Sequence, residues 1–172
     1  MFDPTIFDNL KVAFENELYD LDNLDRMIDI TGRRDMLDMA VMSREFSLSF
    51  RLAGSGDGVT AELMLDTSLR DLSAEILELK GEKAACGLAI RFHTLVEAND
   101  LEVRCREIER CIVDIWMPEE GPVQTLSRVF GEESERYRNQ VELRFRRRIG
   151  EEQMDDIPEL IEHAVRTLEA LA

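Results

Sequence analysis

Six basic side chains stand at spacings that would gather them on one surface. In Gln140–Arg148, Val141, Leu143 and Phe145 alternate with Glu142, Arg144 and Arg146, the period-2 signature of a strand with one face buried. With Leu143 and Phe145 pointing inward, Arg144, Arg146 and Arg148 point outward. The same alternation turns Arg91 and His93 outward on 88–96 and Arg51 outward on 44–52. Arginine presents a planar fork of donors that matches carboxylate or phosphate. Arg51, Arg91, His93, Arg144, Arg146 and Arg148 therefore form a candidate anion-binding face. The competing expectation is a solvated lattice of pairs with Glu142, Glu45, Glu62 or Glu15. That is the commoner outcome of such alternation, and each pair is worth little. Aromatic residues that would stack bases are missing from this face, which argues against nucleic acid.

Other chemistry is sparse. His163 has Glu159 and Glu162 close in sequence, but the only other histidine, His93, stands at no metal-binding spacing from it. Cys86, Cys105 and Cys111 are odd in number and lack a C-x-x-C spacing, so they read as reduced thiols packed as small hydrophobes, with Cys105 in the core. Asp20, Asp22 and Asp25 resemble a calcium loop only superficially. The sixth position holds no glycine, and the twelfth is Thr31 rather than glutamate. The glycine-rich Gly54–Gly58 precedes a strand rather than a helix, so it is no phosphate loop. The sequence implies no cofactor and no metal.

Acidic residues number 37 against 21 basic ones, a net charge of -16, which repels nucleic acid and anionic membrane at long range. Hydrophobic residues make up 44% and charged residues 34% of the chain, a globular composition. A basic n-region followed by an apolar run is missing near Met1, and no apolar stretch spans a bilayer, so a cytoplasmic, non-membrane protein is expected.

The elements that must position the arginines follow in chain order. Phe7, Leu10, Phe14, Leu18 and Leu21 fit a helix, yet Leu10, Val12 and Phe14 alternate as a strand would. We expect a short helical turn started by Asp3-Pro4, then a strand over 9–20. A second strand at 27–30 should stop at Gly32, and 33–43 is loop or strand entry. Residues 44–65 read as an antiparallel hairpin turning at Gly54–Gly58. Leu69, Leu72, Ile76 and Leu79 form one helical stripe with Gly81 suited to its end. A strand at 88–96 precedes a capping-box-like Asn99 and Glu102 and a helix that runs to Pro118. Val123–Phe130 reads as a strand and 131–139 as an exposed connection. After the strand at 140–148, a second capping-box-like start at 156–159 opens the broadest apolar helix face, Ile157 to Leu171.

The expected fold is α+β: a mostly antiparallel sheet with helices on one face, its halves 1–81 and 82–172 sharing that sheet. An internal duplication is also expected, although Phe50 and Phe145 are 95 apart whereas Leu69 and Ile157 are 88 apart. A duplicated sheet of this kind resembles the saddle of TATA-box-binding-like folds, a likeness of fold that carries no function. The expected function is a non-enzymatic interaction or scaffold module with a protein partner or with itself. Anion or ligand binding by the arginine face is the alternative, and an enzyme of unknown reaction comes third.

Overall fold

The computed structural model describes residues 5–56, 58–78, 80 and 84–172. It opens with helix α1, Ile6–Asn23, rather than a turn and a strand. Thr5 Oγ1 accepts from the Asp8 amide at 3.2 Å and caps the first turn; Asp3-Pro4 lies outside the described residues. Phe7, Leu10, Phe14 and Leu18 are buried along one stripe while Val12 is half exposed. The 3.6-residue period thus prevails over the alternation of Leu10, Val12 and Phe14.

Strands β1 (Ile28–Asp38), β2 (Ser43–Leu52), β3 (Thr60–Thr67) and β4 (Gly87–Glu97) form an antiparallel meander. Strand β1 does not stop at Gly32. The chain passes through a bulge between Ile30 and Gly32 and continues as the sheet edge, so 33–38 is strand. Between β3 and β4, helix α2 covers only Leu69–Ile76. Its stripe is largely uncovered, with Leu69 and Ile76 exposed and Ala74 the buried residue; Leu79 and Gly81 lie outside the described residues. A 3-10 turn at Ala98–Asp100 leads into helix α3, Leu101–Trp116, without the side-chain cap expected of Asn99.

Strands β5 (Val123–Ser127) and β6 (Arg136–Arg144) complete the sheet in the order β1-β2-β3-β4-β6-β5, every neighbour antiparallel. Strand β6 therefore starts before 140 and ends before Phe145. Tyr137, Asn139 and Val141 turn to the helix side, and the charge-rich 136–139, read as a connection, is strand. A 3-10 segment, Glu151–Asp156, precedes helix α4, Ile157–Leu171, whose first turn has Pro158 but no side-chain cap from Asp156.

Helices α1, α3 and α4 cover one face of the sheet. A single row crosses that face through Ile30, Phe50, Ala61, Phe92 and Val141, and the last four are fully buried. Alanine between two phenylalanines lets large and small side chains interdigitate beneath the helices. Ile161, Ala164, Leu168 and Leu171 of α4 and Ile108 and Ile112 of α3 complete the core. Cys86 is buried there and its thiol is pushed up to about 12 by burial, whereas Cys105, expected in the core, is only half-buried. The first half runs helix, three strands and helix, whereas the second runs strand, helix, two strands and helix. The internal duplication is not confirmed.

Candidate functional site

The opposite sheet face lies away from α1, α3 and α4, and the arginines lie there among carboxylates, with Ser47, Met64 and Ala89 buried in the same face. One row runs Ser49, Glu62, Arg91, Glu142 across β2, β3, β4 and β6, so charge alternates in register. Arg91 Nε donates to Glu142 at 2.8 Å, and His93 Nε2 lies 2.9 Å from Glu62. That contact to His93 holds the Glu62 carboxyl below its ordinary range. Arg51 Nε stands 3.8 Å from Asp29 across the β1–β2 pair, and its Nη1 donates to the Gly56 carbonyl at 3.2 Å. Arg144 Nη1 donates to Asp66 at 3.2 Å. Gly87 makes that possible, because a Cβ there would stand 2.5 Å from Asp66 Oδ1.

Arg146 and Arg148 do not share this face, because β6 has ended and the chain turns away. Arg148 Nη2 donates to Asp71 of α2 at 2.6 Å and to the Ala85 carbonyl at 3.3 Å. Arg146 and its neighbour Arg147 are exposed and have no ion pair among the described residues. The structure thus joins Arg51, Arg91, His93 and Arg144 on one paired face and moves Arg146 and Arg148 to another place.

That place is a cleft of about 290 Å³ between the end of α3, residues 143–149 and the start of α4. Its aromatic wall is Trp116, packed edge-on to Phe145 at 5.7 Å and tilted against His163 at 5.4 Å. Trp116 Nε1 donates to Thr167 at 2.9 Å, and Thr167 donates onward to the His163 carbonyl. His163 Nδ1 bonds the Glu159 carbonyl on its own helix, so it acts here as a packing residue. Met117 ends α3 in the left-handed region at φ 42° and is 82% exposed. Arg146 and Arg147 stand on one side of the cleft, Glu119 and Glu120 on another.

A second feature was unreadable from spacing alone. The end of β1 and the turn into β2 carry Met36, Leu37, Met39, Val41 and Met42, all exposed, with Met39 at 72%. Their outer part faces solvent on both sides of the hairpin. The run Met36-Leu-Asp-Met-Ala-Val-Met42 follows neither the strand nor the helix period. Apolar residues without a period, where a hairpin needs a turn, were the available signal. Leu69 and Ile76 of α2 and Leu77 just after it are also exposed. Because Arg44 pairs with Thr67, the tip and α2 leave the same end of the sheet.

Charge anchors the inner part of this hairpin to α1. Arg44 donates to Asp35 at 2.9 and 3.0 Å and to Asp8 at 2.7 Å, and Lys11 reaches Asp35 at 2.7 Å. Arg44, then Lys11, hold the Asp35 carboxyl well below the usual carboxylate range. A carboxyl depressed in the folded state binds protons better in the unfolded chain, so its stabilisation is full above the ordinary carboxylate value and fades as pH falls below it. The urea midpoint should therefore fall as pH drops below about 4, and Asp35→Asn should flatten that fall. Chemical denaturation followed by circular dichroism at stepped pH checks this, and equal slopes for both proteins would refute it.

Among the described residues no cluster of three or more His, Cys, Asp or Glu side chains is placed to hold a metal, and no helix is long and apolar enough to cross a membrane. No protein-family model, curated protein or solved structure matches this chain.

Proposed function

We propose that this protein is a non-enzymatic interaction module that docks a protein partner through the apolar end of its sheet. The carrying observation is the β1–β2 tip, where five large apolar side chains stand exposed on both faces of a hairpin. Single exposed apolar residues are ordinary on a surface, but a contiguous set marks a binding site. Three of the five are methionines, whose unbranched, polarisable side chains adapt to a partner's shape. The sheet edge beside them is protected against indiscriminate pairing by the bulge at Ile30–Gly32 and by Arg33, Arg34 and Asp35. Contact is thereby directed to the tip rather than along the strand.

Anion recognition by the sheet face has less support, since Arg51, Arg91 and Arg144 already face carboxylates within the chain, as Arg148 does away from that face. A photo-crosslinking residue at position 39, compared with one at the exposed Glu109 of α3 in the expressing cell, tests the docking reading. Position 39 should give discrete crosslinked proteins, this chain included, that Glu109 does not give. Leu37→Asp with Val41→Asp should remove them at unchanged thermal stability. Equal crosslinking from both positions would overturn the proposal.

A further inference from the structure

We propose that a second copy of this chain occupies the Trp116–Phe145 cleft, each copy seating its β1–β2 tip in the cleft of the other about a two-fold axis. The inference rests on the docking reading above and names its partner.

The register places both features at one end of the sheet. Met36 lies opposite Glu45, Glu45 opposite Asp66 and Asp66 opposite Gly87, while Ala89 lies opposite Arg144 where β6 ends. Strands β1 and β6 are four spacings apart in the sheet order, about 19 Å at the usual interstrand distance. Within one copy, therefore, the tip does not reach the cleft. A projection and a recess side by side on one end are what a two-fold axis between them makes reciprocal: the same contact forms twice and closes at two copies. Helix α2 follows β3, between β1 and β6, so its exposed Leu69 and Ile76, and Leu77 just after it, fall near that axis.

The chemistry of the two surfaces matches in sign and size. Asp38 sits between Leu37 and Met39 and accepts one local bond, from the Ala40 amide at 2.9 Å. Arg34, on the open face of β1, has no carboxylate partner among the described residues and instead points a guanidinium nitrogen at Met36 Sδ. The cleft offers the opposite charges, Arg146 and Arg147 for Asp38, Glu119 and Glu120 for Arg34. A benzene-sized group fits a cavity of about 150 Å³, so the cleft's 290 Å³ takes two apolar side chains from the tip.

Sedimentation velocity of the full chain over a concentration series tests this, with circular dichroism confirming that each variant is folded. Wild type should form a dimer. Asp38→Arg alone, and Arg146→Glu with Arg147→Glu, should each weaken it by about tenfold or more through like-charge contact. An equimolar mixture of the two variants should recover a heterodimer, because one contact is then native and the other is charge-swapped. Recovery cannot come from a variant that merely misfolds, and Met39→Asp gives an independent route to monomer should either charge variant not fold. A monomeric wild type at the highest concentration, dimers indifferent to the variants, no recovery in the mixture, or growth into open-ended larger species would each overturn the two-fold seating. A monomer that still crosslinks another protein from position 39 would leave the docking reading intact.

Discussion

Phe92→Ala is expected to destabilise the protein by about 3–5 kcal/mol, and Phe130→Ala to change stability by less than about 0.5 kcal/mol. The residue types are identical and the surroundings opposite. Phe92 is fully buried at the centre of the helix-covered face, whereas Phe130 stands fully exposed in the loop between β5 and β6. Phe92 lies opposite Ala61 on one side and Val141 on the other. Truncation would set two alanines side by side and open a trough beneath α3 and α4. The sheet cannot close such a gap, because its strand spacing is fixed by the hydrogen-bonded ladder. Urea unfolding followed by far-ultraviolet circular dichroism measures both variants. A lower midpoint at unchanged slope would assign the loss to the folded state.

Trp116→Ala should have the next largest effect, a loss of about 2–3 kcal/mol, below the range for a fully buried tryptophan because this one is half-buried. Three interactions go together: the edge contact to Phe145, the tilted contact to His163 and the hydrogen bond to Thr167. Trp116→Phe separates them, since it keeps a ring against Phe145 and removes the indole donor with only part of the ring. It should cost about 0.5–1.5 kcal/mol, as Thr167 still donates to the His163 carbonyl. Equal losses for the two variants would mean that the hydrogen bond, rather than ring packing, holds the end of α3 to α4.

Strands β2, β3 and β4 were legible because each turns its large apolar residues to the helix side and mostly polar ones to the other, although Ser47, Met64 and Ala89 are buried on that second face. Helices α3 and α4 were legible for the matching reason, a stripe at helical period against a sheet. Helix α1 was misread because Leu10, Val12 and Phe14 satisfy both periods locally. What decides between them is the groove offered by β1 and α4, which no local pattern contains. The arginines were visible as candidates, but their pairing depends on register. Arg91 meets Glu142 only because β4 and β6 align at that offset, and Arg146 leaves the face only because β6 ends at Arg144. The apolar tip was opaque because an exposed apolar run obeys neither burial period.

The seat of α1 between β1 and α4 has a consequence for how the chain is born. Helix α1 is translated before every strand of the sheet, yet it packs against α4, which follows it by more than a hundred residues. At a synthesis rate of about 5–20 residues per second, that interval is on the order of 10 s. Throughout it, Phe7, Leu10, Phe14 and Leu18 lack part of the cover they have in the finished molecule. The early meander of β1 to β4 can zip locally, so the nascent chain passes through a half-built stage, a sheet with one helix and its remaining apolar face open. Ribosome-associated chaperones recognise surfaces of that kind, and the order of synthesis rather than the final stability sets how long this one is on offer.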